Sequence, residues 1–407
     1  PFAPATLCRP DGLHGAGDEM TMLSVAGLEA EARAATGLTD FGPDTGWREG
    51  LVRLVNAVEA MNPPDQLRHI AQHNIVGQLS TRLRFVEDDR KYPDIARQDV
   101  GAPLIVVGLP RTGTTISYDL LCLDPEARAP REWEWYVPWP PTDATTFDSD
   151  PRIAVVKAMY DNWLQHAPQL LDIQRFDCTQ PGECNHGMQY HFGSTNFAAE
   201  LGVPDFAKWL RENRVQGQYT SHKRLLQNFQ WKGPKGRWTL KSPQHLFDLP
   251  ALLEAYPDAM LVWTHRDPAL TFSSLSSFIA GFLAAFGGDK DKTAIGREVV
   301  DTWIAGMTRG LAARADPAIE ARIIDLAHKD VVANPKAAIQ RIYDKFGLAF
   351  SEAHKARIDQ FLADNPAAKR MGKHKHSPEE YGIDVDEVRV RMKDYFDRFG
   401  HLLGRPE

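Results

Sequence analysis

A glycine-rich loop that contains an arginine is the first stretch of this sequence able to form a binding site. It spans residues 108–115, GLPRTGTT, and follows an apolar, β-branched run at 102–108. In a strand–loop–helix context, the backbone N–H groups of such a loop and the dipole of the next helix bind a phosphate group. We therefore predict an anion site made by Pro110, Arg111, Thr112, Gly113, Thr114 and Thr115.

This loop departs at one position from the phosphate loop of nucleoside triphosphatases, GxxxxGK[ST]. Both glycines match and Thr115 supplies the final hydroxyl, but Thr114 stands where the lysine belongs, and the cation is Arg111 inside the loop. The usual lysine reaches the terminal phosphates of a triphosphate. Its absence favours a ligand with one 5′ phosphate and an attached leaving group.

A second anion site is predicted at the end of another strand. The apolar run Met260 to His265 is followed by Arg266, and Ser274 comes eight residues after that arginine. With a helix that starts at Pro268, Ser274 lies about two turns into the helix. Arg266 and Ser274 are thus placed to hold one more phosphate, and two separate anion sites indicate a ligand with phosphates at both ends.

Strands and helices alternate around these residues. Short apolar runs predict strands at 102–108, 237–241, 260–265 and 322–326, each followed by a helical segment. This alternation predicts an α/β fold with a P-loop-type open parallel β-sheet flanked by helices. In such sheets ligands bind beyond the carboxyl ends of the strands, which is where both predicted anion sites fall.

Helical patterns occupy two further regions. Apolar residues at helical spacing run through about 23–85, and residues 150–230 also read as mostly helical. We therefore expect a helical N-terminal extension over residues 1–100 and the sheet domain over 101–407. Within that domain, 150–230 is expected to be a helical insert on the acceptor side of the site.

With both anion sites identified, the sequence resembles the sulfotransferases that use 3′-phosphoadenosine 5′-phosphosulfate (PAPS), in particular their long bacterial, mycobacterial-type branch. The loop 109–115 resembles the family's 5′-phosphosulfate loop, and Arg266 and Ser274 have its Arg-x₇-Ser spacing for the 3′ phosphate. Segment 238–259 also looks like that branch, and the similarity runs from about 102 to 399. The resemblance implies a PAPS-dependent sulfotransferase with PAPS as cosubstrate and no metal.

Two features of the family are altered here. Cytosolic members stack an aromatic residue on adenine directly after the loop, whereas this chain has Ile116, so any stacking needs another aromatic. The family's C-terminal Arg-Lys-Gly element, which closes over the 3′ phosphate, has a loose counterpart in residues 369–373, KRMGK. Arg370 and Gly372 are the candidate contacts there, and a solvated basic turn is the alternative.

The resemblance also assigns roles in transfer. Sulfuryl transfer, like phosphoryl transfer, depends on positioning the reactants and neutralising charge. Arg111 would stabilise the departing 5′-phosphate oxygen. Lys241, which ends the strand at 237–241, would be a second cation beside the transferring group, and an ordinary surface lysine is the alternative reading.

The acceptor hydroxyl needs a general base, and the sequence leaves three candidates open. In the tyrosylprotein branch a catalytic glutamate follows the loop arginine at the distance that separates Glu132 from Arg111. Glu134 is a close rival. His245 lies near the catalytic histidine of cytosolic members, displaced by two residues. For each candidate the alternative is a salt-bridged or capping side chain.

The acceptor itself is the least defined part of the prediction. Trp133, Trp135, Tyr136 and Trp139 lie beside Glu132, and with the helical insert we expect them to form an acceptor pocket. The acceptor would be a small molecule or a glycolipid that carries a hydroxyl or amine, with a preference for apolar compounds. The alternative is that these aromatics pack in the core.

Composition limits the classes of partner and location. The net charge is −7 and the pI about 6.1, which argues against a nucleic-acid partner. Four cysteines without CxxC spacing fit a reduced, cytoplasmic protein. We expect no signal peptide and no stable membrane insertion, because the longest apolar run is too short to span a bilayer. The sequence does not decide whether the protein forms a homodimer.

Two other functions compete with sulfuryl transfer. A P-loop nucleotide kinase or NTPase would need the missing lysine and Mg²⁺ partners. A catalytically inactive nucleotide-binding protein would not need the three cations Arg111, Lys241 and Arg266, all of which are present. Calorimetry with ATP–Mg²⁺ and with 3′-phosphoadenosine 5′-phosphate (PAP) would distinguish the kinase or NTPase from a PAPS enzyme.

Overall fold

The computed structural model describes residues 22–172, 175–285, 291–365 and 376–403. The described residues form two compact units. The sheet unit takes its residues from the ranges 100–129, 169–175 and 235–407. The helical unit takes its residues from the ranges 1–99, 130–168 and 176–234.

Five parallel strands form the centre of the sheet unit in the order β2-β3-β1-β4-β5. Strand β1 is buried along its whole length, as expected of an apolar strand covered on both faces of a parallel sheet. The bounds are β1 Leu104–Gly108, β2 Ala127–Arg128, β3 Arg237–Lys241, β4 Met260–His265 and β5 Ile323–Ala327.

The register of the sheet brings three strand ends together. Gly108 at the end of β1 pairs with Thr264 in β4, and Val106 of β1 pairs with Lys241 at the end of β3. The carboxyl ends of β1, β3 and β4 therefore form one edge. The phosphate loop, Lys241 and Arg266 all lie at that edge because each ends or follows one of these strands.

Helices follow the strands and pack on them through a shared core. Leu104, Val106 and Val262 of the sheet pack in one apolar cluster with Leu121 and Ile342 of two helices. The predicted open parallel sheet flanked by helices is thus confirmed. The helices of this unit are Thr114–Cys122, Leu249–Ala255, Pro268–Ala285, Lys292–Ala313, Pro317–Glu320, His328–Ala333, Pro335–Phe346, Glu352–Asp364, Val385–Arg391 and Lys393–Phe399, with 3₁₀ turns at Pro243–Phe247, Glu379–Tyr381 and Gly400–Leu402.

Two apolar clusters lie within the described part of the helical unit. The larger one buries Trp47, Leu51 and Leu54 of the second helix, whose apolar residues recur at helical spacing. The smaller one centres on Trp133. The helices of the helical unit are Val25–Thr36, Trp47–Ala60, Asp65–Lys91, Glu132–Tyr136, Pro151–His166, Cys184–Gln189, Asn196–Leu201, Pro204–Glu212 and Gln218–Trp231. A further 3₁₀ turn, Pro168–Asp172, belongs to the sheet unit from residue 169 onward. Over the described ranges, no helix combines the length and apolar character needed to cross a bilayer.

Local details differ from the sequence expectations at three places. No helix was predicted within 131–141, yet this stretch contains the short helix Glu132–Tyr136, whose first turn is held by a hydrogen bond from the Arg131 backbone N–H to the Glu134 side chain. The single helix expected after Ser242 is a 3₁₀ turn followed by Leu249–Ala255, because Asp248 caps a new start. Strand β2 has only two residues, too few to give a periodic pattern.

Candidate active site

The phosphate loop has the backbone shape of an anion cradle. Gly113 adopts a φ of +91° and is the N-cap of helix Thr114–Cys122, so that the first N–H groups of the helix point into the loop. Arg111 also has a positive φ, +68°. A Cβ atom at Gly113 would lie 2.6 Å from Cδ2 of His328, so any larger residue would force the His328 ring to shift, in addition to the strain of its positive φ.

Thr112 fixes the loop to the sheet beneath it. Its hydroxyl donates to the Leu109 carbonyl oxygen at 2.7 Å and lies 2.7 Å from the hydroxyl of Thr264 in β4. Thr112 is fully buried, whereas Thr115 is exposed. Thr112 therefore anchors the loop, and Thr115 is the hydroxyl available to a ligand.

The two predicted anion sites meet at Arg111. Its Nε donates to Ser274 Oγ at 3.2 Å, and Nη1 of Arg266 donates to the Arg111 carbonyl oxygen at 3.4 Å. Partial burial lowers the pKa of Arg266, although a guanidinium stays charged at neutral pH. The structure thus brings Arg111, Arg266 and Ser274 together, as their placement after β1 and β4 predicts.

Lys241 stands beside the start of the helix that follows the loop. Its side chain is buried, with Nζ 3.4 Å from Thr115 Oγ1 and 5.6 Å from the centre of the Tyr118 ring. A buried ammonium next to an anion cradle is a strong local positive charge. This burial argues against the reading of Lys241 as an ordinary surface lysine.

Asp119 is a charged neighbour that the sequence reasoning missed. It lies one turn after Thr115 on the same helix face, and its carboxylate is 3.5 Å from the guanidinium of Arg175. Burial raises the pKa of Asp119, while the charges of Arg175 and Lys241 oppose that rise. The i, i+4 spacing from Thr115 was the available sequence signal, since it places Asp119 on the face that Lys241 approaches.

His245 lies in the 3₁₀ turn Pro243–Phe247, which follows Lys241. Its side chain is fully buried, and its backbone N–H donates to the Ser242 carbonyl oxygen. A general base must come within hydrogen-bond reach of the acceptor. A fully buried ring would meet an acceptor only after repacking, which weakens the case for His245.

Glu134, in the helical unit, is held by structural hydrogen bonds. It is fully buried, with Oε2 accepting from the Arg131 backbone N–H at 2.9 Å and Oε1 accepting from the Thr142 hydroxyl at 2.9 Å. Both oxygens therefore maintain the turn that starts helix Glu132–Tyr136. The capping alternative fits Glu134 better than a catalytic role.

Glu132 is in a different setting within the same unit. It is partly buried, and its Oε2 accepts a hydrogen bond from the hydroxyl of Tyr160. Tyr160 in turn packs against the rings of Tyr136, Trp163 and Phe176, with centroids 5.2 to 5.8 Å away. Because Glu132 is partly exposed and oriented by one hydroxyl, it keeps the features that a base requires.

The four aromatics expected to line an acceptor pocket divide into two groups. Trp133 and Trp135 are fully buried and pack in the helical unit's core, so the packing alternative holds for both. Trp139 donates to Asp88 at 2.9 Å and is covered by the Arg84 guanidinium at 4.6 Å. Tyr136 is partly exposed, as are Trp163 and Phe176.

The remaining predicted contacts to the 3′ phosphate, Arg370 and Gly372, lie outside the described residues. The described chain resumes at His376, whose Nδ1 is 3.0 Å from the Ser273 hydroxyl. Ser273 is the neighbour of Ser274. The chain from His376 onward is therefore tied to helix Pro268–Ala285, which carries Ser274.

Comparison with known proteins bears directly on this arrangement. The sequence model described as Sulfotransferase family matches residues 103–352. Omega-hydroxy-beta-dihydromenaquinone-9 sulfotransferase Stf3 of Mycobacterium bovis, and its namesake in Mycobacterium tuberculosis, are each 26% identical over 316 residues, covering 75% of this chain and 76% of the relative.

Two solved structures share the fold over almost their whole length. Sulfotransferase STF9 from Mycobacterium avium superposes with a TM-score of 0.83 at 27% identity, covering 96% of this chain and 100% of that one. Sulfotransferase STF1 from Mycobacterium tuberculosis gives 0.78 at 28% identity, covering 92% and 99%. The similarity thus includes both the phosphate loop and the Arg266–Ser274 region.

Proposed function

The chain belongs to the sulfotransferase family, and on that premise we propose that it moves the sulfuryl group of PAPS to a hydroxyl or amine of a small molecule or glycolipid. The enzyme class, sulfotransferase, follows from the family and from the mycobacterial sulfotransferases it resembles. The donor, the acceptor and the roles of individual residues are the proposed part.

The observation that carries the proposal is the contact of Arg111 with both Ser274 and Arg266. We expect the backbone N–H groups of the loop to bind the 5′ phosphate, and Arg266 and Ser274, which both contact Arg111, to bind the 3′ phosphate. A nucleotide with a 5′ phosphosulfate and a 3′ phosphate carries anions at both positions. A triphosphate places all of its anions at one end.

The transfer step follows from this arrangement. The acceptor oxygen attacks sulfur in line, an S–O bond to the acceptor forms, and the bond from sulfur to the bridging phosphate oxygen breaks. 3′-Phosphoadenosine 5′-phosphate (PAP) leaves with the bonding electron pair. The loop N–H groups and Thr115 hold the 5′ phosphate, and Arg111 and Lys241 neutralise the charge that develops on the departing oxygen.

The proton of the acceptor goes to a carboxylate, for which we propose Glu132. The other two candidates for the general base are less suited. Both carboxylate oxygens of Glu134 accept structural hydrogen bonds, and His245 is fully buried. The hydroxyl of Tyr160 orients Glu132. Orientation by a neighbouring donor is a common feature of catalytic bases.

For the acceptor we propose an apolar compound that carries a hydroxyl. The Stf3 relatives are named for omega-hydroxy-beta-dihydromenaquinone-9. The partly exposed rings of Tyr136, Trp163 and Phe176, next to Glu132 and Tyr160 in the helical unit, offer an apolar surface beside a carboxylate. A hydroxylated isoprenoid quinone is therefore the first acceptor to test, alongside phenols, sterols and glycolipids.

Calorimetric titration of the full chain with PAP, AMP and ATP–Mg²⁺ tests the donor assignment. We expect PAP to bind about 10- to 100-fold more tightly than AMP, which lacks only the 3′ phosphate. AMP cannot form the charge-assisted hydrogen bonds to that phosphate, and the loss of such bonds weakens binding by about this factor. ATP–Mg²⁺ should bind more weakly than PAP. Tighter binding of ATP–Mg²⁺ would favour a P-loop kinase or NTPase and overturn the proposal.

A further inference from the structure

A buried chain of hydrogen bonds lies directly behind Arg266. The preceding residue, His265, is fully buried, and its Nε2 lies 2.7 Å from Asp325 Oδ1. On the other side, its Nδ1 lies 3.0 Å from the hydroxyl of Tyr395. Tyr395 belongs to helix Lys393–Phe399, so this chain links strand β4 to the last α-helix of the sheet unit.

The protonation states of these side chains determine which group donates in each hydrogen bond. Burial alone would raise the pKa of Asp325, but hydrogen bonds from Arg314 and His265 hold it well below its usual range, so Asp325 is a carboxylate that only accepts. Burial lowers the pKa of His265, which is therefore neutral at pH 7. Nε2 must carry the proton given to Asp325, so Nδ1 accepts from the Tyr395 hydroxyl.

Burial raises the pKa of the Tyr395 hydroxyl, which therefore keeps its proton and donates it to His265. Hydrogen bonds thus run from Tyr395 through His265, the residue before Arg266, to Asp325. The ring of His265 is also stacked between neighbours, with Phe399 at 4.3 Å and Trp263 at 6.1 Å between centroids.

Arg314 anchors the far end of the chain. Its side chain is 1% exposed, and its guanidinium donates to both oxygens of Asp325 at 2.7 and 2.8 Å. It also donates to both oxygens of Glu320 at 2.7 and 2.9 Å, and Glu320 accepts from Arg398 at 2.6 Å. The helix Lys393–Phe399 is thus tied to this network at Tyr395 and at Arg398.

We propose that Tyr395 and His265 are positioning residues that hold Arg266 for the 3′ phosphate, and that they thereby set the preference for a 3′-phosphorylated nucleotide. This inference rests on the proposed use of PAPS. A fully satisfied buried network fixes the backbone it touches, whereas a partly satisfied one lets it shift. Because Arg266 follows His265 directly, a shift at His265 moves the guanidinium away from Arg111 and Ser274.

The test compares PAP with AMP in the full chain and in Tyr395→Phe, which removes only the hydroxyl. We expect the preference for PAP over AMP to fall about five- to ten-fold, the effect of one lost hydrogen bond, with AMP affinity nearly unchanged. The matched control is Tyr343→Phe, because Tyr343 is also buried and donates to a carboxylate, Asp124, at 2.6 Å. That control should lose stability and keep the preference.

The outcomes separate the two proposals. An unchanged preference in folded Tyr395→Phe overturns the positioning role and leaves PAPS use intact, whereas a wild-type protein without a preference for PAP overturns PAPS use itself. A third measurement needs no variant: hydrogen exchange over residues 393–399 should slow more with PAP than with AMP. Equal slowing with both nucleotides contradicts the positioning role even if Tyr395→Phe fails to fold.

Discussion

The guanidinium of Arg111 donates to the hydroxyl of Ser274 at 3.2 Å, although 163 residues separate them in the chain. The loop cation thereby contacts a residue of the second predicted anion site. In nucleoside triphosphatases the loop lysine serves only the phosphates above the loop. If the protein binds PAPS as proposed, Arg111 would lie between the 5′ and the 3′ phosphate. A triphosphate does not carry phosphates at both of these positions.

Removal of the Lys241 ammonium should act on the rate more than on binding. We expect Lys241→Ala to lower kcat about 10²- to 10³-fold, because a preorganised charge beside the departing oxygen is lost, and to change PAP affinity only a few-fold. Steady-state transfer rates and calorimetry measure the two effects. Lys355→Ala, which breaks a surface ion pair to Glu352, is the control. A loss of PAP affinity as large as the loss of kcat contradicts this assignment.

Substitutions of Glu132 and Glu134 should have different effects, one on catalysis and the other on stability. We expect Glu132→Gln to lower kcat about 10²- to 10⁴-fold with PAP affinity retained, as for a general base. Glu134→Gln should instead destabilise the fold by about 1–3 kcal/mol through its broken buried hydrogen bonds, and the folded fraction should turn over normally. Transfer assays and denaturant titrations distinguish them. Near-normal turnover of Glu132→Gln would rule out Glu132 as the general base. The same assay on His245→Asn would then test the next candidate.

A methyl group at Gly113 should damage the anion site specifically. We expect Gly113→Ala to lose about 1–2 kcal/mol from its positive φ and also to weaken PAP binding, because the new Cβ displaces His328. Gly347 also has a positive φ, +66°, but open space around it, so Gly347→Ala isolates the backbone effect. Thermal unfolding and PAP titration measure the two losses. Equal PAP affinity in both variants would show that His328 packing does not matter to the loop.

The helical unit should show a pH-dependent stability that traces to Glu200. Burial raises the pKa of Glu200 from 4.5 to about 7, so the folded state holds a proton that the unfolded chain releases. Its contribution is fully present below about pH 4.5 and is lost as the pH rises through 7, a change of about 3 kcal/mol.

Glu200→Gln keeps an uncharged side chain at every pH. Denaturant unfolding at pH 5 and pH 8 should therefore show wild type losing stability relative to this variant as the pH rises. The exposed Glu212→Gln is the control in the same unit. If wild type and Glu200→Gln change in parallel, Glu200 is not the group responsible.

The parts of the fold that the sequence predicted are those with strong local signals. Strands β1 and β4 are mainly apolar runs, and β3 and β4 begin and end where predicted. The residues that follow such strands converge because parallel pairing aligns their carboxyl ends, which is why Arg111, Lys241 and Arg266 could be predicted together. Strand β2 and the helix Glu132–Tyr136 escaped prediction because each is too short for a periodic pattern and depends on tertiary contacts.

The site residues that escaped prediction depend on side-chain packing. Asp119 carries no motif, and only the folded structure brings Arg175 and Lys241 to it. Tyr395 was missed for the same reason. It lies 130 residues from His265 in the sequence, and no local pattern predicts that the two side chains are in contact. Conversely, Trp133 and Trp135 were expected from the sequence to line an acceptor pocket, but both are fully buried in the core.

The most direct test of sulfuryl transfer is an assay with PAPS labelled in its sulfuryl group. The protein would be incubated with labelled PAPS and a panel of hydroxylated isoprenoid quinones, phenols, sterols, sugars and glycolipids. We predict that label moves to at least one hydroxylated apolar acceptor, that PAP is released in equal amount, and that Lys241→Ala slows both. Label that stays on PAPS with every acceptor, in a protein that also fails to bind PAP, would contradict the account.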